Sequence, residues 1–82
     1  MKKEDIGQRV KEVIAWHLEV PVAKIGDEMV VGKMLIDDEN FKIDFSSRIP
    51  ISDFSYSQWT TVKELVASLE RAYDALPPRE LQ

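Results

Sequence analysis

Two amphipathic stripes, one at each end of the chain, constrain the fold more than any other feature. In "EDIGQRVKEVIAWHLEV", the residues Ile6, Val10, Val13, Ile14 and Leu18 recur at three- and four-residue intervals. That spacing places them on one face of a helix. Asp5 reads as its N-cap, and Gln8 stands three residues later as in a capping box. Pro21 closes the segment, because the residue before a proline is pushed out of helical geometry. At the other end, "TTVKELVASLERAYDALPP" carries Val62, Leu65, Val66, Leu69, Tyr73 and Leu76 on one face. Thr61 and Glu64 have the spacing of a capping box, and Pro77 and Pro78 mark a stop.

Between Pro21 and Trp59 the pattern is less regular. "PVAKIGDE" reads as a loop with Val22 and Ile25 as buried anchors, and "MVVGKMLI" is apolar but broken by Gly32. "FKIDF" alternates, with Phe41, Ile43 and Phe45 apolar, which locally favours a strand. No second alternating run stands nearby to pair with it, and an isolated pairing is marginal. Phe41, Phe45 and Ile49 also form a helical row, so a short helix or an irregular hydrophobic connector is the preferred reading. "RIPISDFSYSQW" reads as extended or turn-like, with Ile49, Ile51, Phe54 and Trp59 pointing to the core. Two capped end helices joined by such a connector predict a small all-α bundle. Residues 1–78 form the expected single domain, and 79–82 a frayed tail.

Composition narrows the partners. An 82-residue chain supports one modest core. There is no cysteine, so neither a disulfide nor a cysteine metal site is available, which fits a cytoplasmic setting. The net charge of −4 disfavours nucleic acid and favours protein partners with a basic docking face. The N-terminus lacks the apolar core of a signal peptide, and no apolar run has the length of a membrane span, so no membrane partner is expected.

The segment "IGQRVKEVIAWHLEVPVAKIGDEMVV" resembles the opening of an acyl carrier protein or a polyketide or nonribosomal carrier domain. There, a helix of this type leads through a short valine-proline passage to an acidic loop. "IPISDFSYSQWTTVKELVASLERA" resembles the family's ending, where a threonine-valine pair starts the last helix. Together the two segments cover about three-quarters of the chain in the family's order. The resemblance implies an acyl-carrier-protein-like helical bundle with two long end helices. The middle region is shortened or irregular.

The resemblance also defines what is missing. The family carries Asp-Ser-Leu at the start of its second helix, and that serine takes 4′-phosphopantetheine through a phosphodiester. "DSL" occurs nowhere in this chain. In one alignment "LIDDEN" lies at the motif, with Asp38 at the aspartate, Glu39 at the serine and Asn40 at the leucine. In the other, "KMLIDDENFKIDF" matches the end of the second helix and the passage after it, and the serine is deleted. Both alignments remove the hydroxyl, so no cofactor is expected unless a nonstandard serine serves. Ser46 and Ser47, after Asp44 and Phe45, are the fallback positions for 4′-phosphopantetheine. The plainer reading of these serines is turn and capping chemistry.

Other features have plainer readings too. "DDEN" fails as a calcium loop, because Lys42 and Ile43 fall where a ligand and a glycine belong. It reads instead as a solvated acidic turn or helix N-terminus. His17, the only histidine, reads as a boundary residue with no nucleophile beside it in sequence. Trp16 and Trp59 read as core or edge-of-core packing. Gly26 and Gly32 are too isolated for a phosphate loop.

The expectation is a chain that is not an enzyme. It is a divergent carrier-like domain acting through protein contacts in an acyl or peptidyl assembly system, with Asp37, Asp38 and Glu39 as the contact surface. The alternatives are a working carrier modified at Ser46 or Ser47, and an unrelated small helical interaction module. Loss of part of a helix leaves core residues uncovered, so a homodimer is a further expectation.

Overall fold

A computed structural model describes residues 1–76. Among them the chain forms four α-helices and no sheet: α1 (Ile6–Leu18), α2 (Gly32–Asp37), α3 (Glu39–Arg48) and α4 (Val62–Asp74). Short 3-10 turns at Lys3–Asp5 and Val22–Lys24 precede and follow α1. This all-α bundle, with two longer end helices and a shorter middle pair, is consistent with a generic carrier-protein-like fold. The expected stop at Pro77 and Pro78 and the tail 79–82 lie outside the described residues.

Helix α1 is the hub, packing against both α4 and α3. Its Ile6, Val10, Val13 and Ile14 are buried, as the stripe predicts, and Ala15 joins them. Leu18 does not, being 42% exposed at the helix end. The helix stops at Leu18, three residues before Pro21. Glu19 takes a left-handed conformation (φ 58°), the amide of Val20 donates to Ala15 O at 3.0 Å, and that of Glu19 donates to Trp16 O at 3.3 Å. This is the Schellman pattern of closure, built without glycine. The N-terminus differs from expectation. Asp5 has helical geometry and makes no cap bond to α1; its carboxylate accepts from the Lys2 amide, within the preceding 3-10 turn. Gln8 reaches toward Glu12 instead.

Helix α4 begins as predicted. Thr61 Oγ1 accepts from the Glu64 amide and the Glu64 carboxylate accepts from the Thr61 amide. The two amides ahead of Glu64 are satisfied by a distant loop. Val62 N–H donates to Met29 O at 2.8 Å and Lys63 N–H to Asp27 O at 3.0 Å. Val62, Leu65 and Leu69 are buried, Val66 and Tyr73 are half-buried, and Leu76 lies beyond the helix end.

The ambiguous middle stretch is helical. Phe41, Phe45 and Ile49 are all but fully buried while Ile43 is 60% exposed. A strand would have put Ile43 on the same side as both phenylalanines. An aromatic series crosses the core from α1 to the connector: His17, Phe41, Phe45, Phe54 and Tyr56, with successive ring centroids 4.9, 5.9, 6.0 and 5.3 Å apart. The connector is held by Ser68 of α4, whose hydroxyl accepts from the Ser55 amide and donates to the Ser55 carbonyl. Gly32 explains the break in its apolar run. A Cβ there would lie 1.7 Å from the Ser57 carbonyl oxygen, so only glycine lets α2 start under the connector.

Both tryptophans correct the expectation of core or edge-of-core packing, since neither belongs to the buried cluster or to the partly buried side chains packed against it. Trp16 is 50% and Trp59 71% exposed. Trp16 falls outside the buried arc of α1 and lies beneath the Arg48 guanidinium, 4.4 Å from its ring centroid. Trp59 stands on the turn before Thr60, and Thr60 is the residue that turns inward.

Candidate functional site

The acidic stretch occupies the joint between α2 and α3. Asp37 is the last residue of α2, Asp38 is the N-cap of α3, and Glu39 is the first residue of α3. Asp38 has extended backbone geometry (φ −102°, ψ 101°), which breaks one helix and starts the next. Its Oδ1 accepts from the Phe41 amide at 3.1 Å, the usual role of an N-cap carboxylate. Oδ2 turns the other way and meets His17 Nε2 of α1 at 2.8 Å. The Phe41 amide, then His17, hold the Asp38 carboxyl below its ordinary range. The local reading of "DDEN" as a turn at a helix N-terminus therefore describes this joint.

The three carboxylates thus differ in role. Asp38 faces the fold and ties α3 to α1, whereas Asp37 and Glu39 are exposed. The resemblance puts the attachment serine at the start of the second helix. Glu39 stands directly after the capping aspartate at the start of α3, the third helix of this chain, whereas the second helix, α2, starts at Gly32. In the competing alignment "FKIDF" continues past the end of a helix, yet here it lies inside α3.

The fallback serines lie elsewhere. Ser46 and Ser47 are exposed in the last turns of α3, about two turns and about 10 Å along the helix from Glu39. The Ser47 hydroxyl donates to the Asp44 carbonyl at 2.9 Å. The start of α3 presents the Glu39 carboxylate and no serine hydroxyl, so the residues there do not fit 4′-phosphopantetheine. Among the described residues no group of three or more histidine and acidic side chains is arranged to hold a metal ion. No described helix is long and apolar enough to cross a membrane.

Sequence reasoning missed the His17–Asp38 pair. The partners are 21 residues apart on different helices, and neither stretch carries a spacing that couples them. It also missed the pairing of Trp16 with Arg48. Comparisons with protein-family models, with curated proteins and with solved structures find no match for this chain.

Proposed function

We propose that this chain is a divergent carrier-like domain that works through protein contacts in an acyl or peptidyl assembly system and carries no 4′-phosphopantetheine. The observation that supports this reading most is Glu39, which follows the Asp38 cap as the first residue of α3. A carboxylate at that position cannot accept the phosphodiester that a serine hydroxyl forms. Such a domain retains the shape of a carrier and loses its cargo, so contact with other proteins is the role left to it. The exposed acidic pair Asp37 and Glu39 is the part of the joint free to meet a basic face.

Intact-mass measurement after incubation with coenzyme A and a broad-specificity phosphopantetheinyl transferase tests the chemistry. An unchanged mass is the expected result. A full-occupancy adduct mapped to Ser46 or Ser47 overturns the reading in favour of a working carrier. The contact surface is tested by Asp37→Lys with Glu39→Lys, a pair that spares the Asp38 cap. Binding to a basic carrier-dependent enzyme should weaken and lose salt sensitivity. Equal binding at low salt by both forms argues against this surface.

A further inference from the structure

A second surface lies on the α1–α3 side, built from a charge opposite to that of the chain as a whole. Arg9, Glu12, Val13, Trp16, Ser47 and Arg48 line an open groove of about 390 Å³. Arg48 stacks on Trp16 at 4.4 Å, and among the described residues only its Nε is engaged, donating to Asp44 Oδ1 at 3.1 Å. Arg9 Nη1 donates to the Arg48 carbonyl at 3.1 Å, which brings the second guanidinium to the C-terminus of α3. Among the described residues no carboxylate pairs with Arg9. One turn before Ser47 on α3, Ile43 is 60% exposed.

We infer that this groove docks an acidic peptide segment of a partner protein, one that places carboxylates beside an aliphatic side chain. The charge is local: two arginines stand in the lining against Glu12, with Asp44 at the Arg48 Nε, and among the described residues guanidinium nitrogens of both arginines are left without a carboxylate partner. Guanidinium groups offer forked donors matched to carboxylates. Trp16 supplies exposed apolar area within the lining and Ile43 adds more one turn from Ser47 on α3, and tryptophan and arginine are among the side chains that most often anchor interfaces. Glu12 is the one carboxylate in the lining, and it leans back toward Gln8 Nε2 at 3.5 Å. The inference stands independently of the attachment chemistry at Glu39.

Trp16 is the reporter. The chain has two tryptophans, so Trp59→Phe leaves Trp16 emission alone. The probe is a short synthetic peptide in which aspartates flank a pair of leucines. Titration should give a saturable change in Trp16 emission that salt weakens. A control peptide with lysines for the aspartates should give none. Arg48→Met, which keeps an apolar stem over Trp16, should weaken binding by about tenfold. Glu12→Gln should strengthen it. If Arg48→Met fails to fold by circular dichroism, Ser47→Glu makes the same test by adding a negative charge, and binding should again fall. No saturable change, or equal affinity in the folded groove variants, overturns the inference. Sedimentation of the unmodified chain covers the remaining occupant. A concentration-dependent dimer that Arg48→Met abolishes, with no peptide binding, overturns the inference and assigns the groove to a second copy.

Discussion

Helices α3 and α4 both begin at a capped N-terminus, and the two caps differ in where their further partners lie. At α4 the cap is reciprocal and local, with Thr61 and Glu64 bonding one another within a single turn. At α3 the cap residue Asp38 bonds forward to Phe41 and across to His17 on α1. The first arrangement stabilises one helix end. The second also fixes how two helices sit against each other. The same contrast runs through the helices themselves. Helix α4 shows a broad apolar face, whereas α3 holds its place through Phe41 and Phe45 with Ile49 just beyond its end. A helix with so few anchors depends more on each of them.

The largest expected effect follows from that dependence. Phe41→Ala removes a fully buried ring that touches both His17 and Phe45, and should cost about 3–5 kcal/mol. Ile43→Ala, two residues along α3 and exposed, should change stability by less than about 0.5 kcal/mol. Chemical denaturation of both variants checks the pair, and equal losses would mean that α3 is not seated as described.

Next in size is Thr61→Ala, which removes the local cap of α4. A loss of about 1 kcal/mol is expected, read as a lower denaturation midpoint with an unchanged slope.

Asp38→Asn should be milder at neutral pH, because asparagine also caps helices well. Its signature lies in acid. The folded state holds the Asp38 carboxyl below its ordinary range, so the unfolded chain takes up that proton first as pH falls. The carboxylate's contribution is therefore complete above about pH 4, the ordinary aspartate value, and is lost as pH falls through the lower folded value. Stability of the Asn variant should fall less steeply than that of the parent across that acid window. Parallel curves would show that the carboxylate is not specially held.

The smallest effect is expected for the link between helices. His17 and Asp38 are both partly exposed, with side chains 25% and 39% accessible, so solvent weakens their attraction. A double-mutant cycle with His17→Ala and Asp38→Asn should give a coupling smaller than the loss caused by Thr61→Ala. A coupling larger than that loss would mean that the cross-helix bond, rather than the local cap, is the stronger of the two.

These comparisons show why some of the molecule was legible beforehand. The stripes of α1 and α4 and the cap at Thr61 are relations among residues three or four apart, and helical geometry converts such spacing directly into contact. The row Phe41, Phe45 and Ile49 was legible only with help, since "FKIDF" alone also fits a strand; the missing pairing partner decided it. Asp5 misled because a residue suited to capping sits at the right spacing, yet a 3-10 turn continues the backbone through it. The tryptophans misled because large apolar side chains are commonly buried, whereas here one lies under an arginine from another helix and one sits on a turn.

By itself the sequence determined the all-α class, the two end helices, the local cap of α4 and the absence of an Asp-Ser-Leu motif. Each depends on residue identity or on spacing within a turn or two. Only the tertiary structure decided that Asp38 faces His17, that Gly32 lies under the Ser57 carbonyl, and that Trp16, Arg9 and Arg48 share a groove. Those relations depend on how helix axes cross and where the connector runs. Packing of the whole core sets both, and no short stretch of chain encodes either.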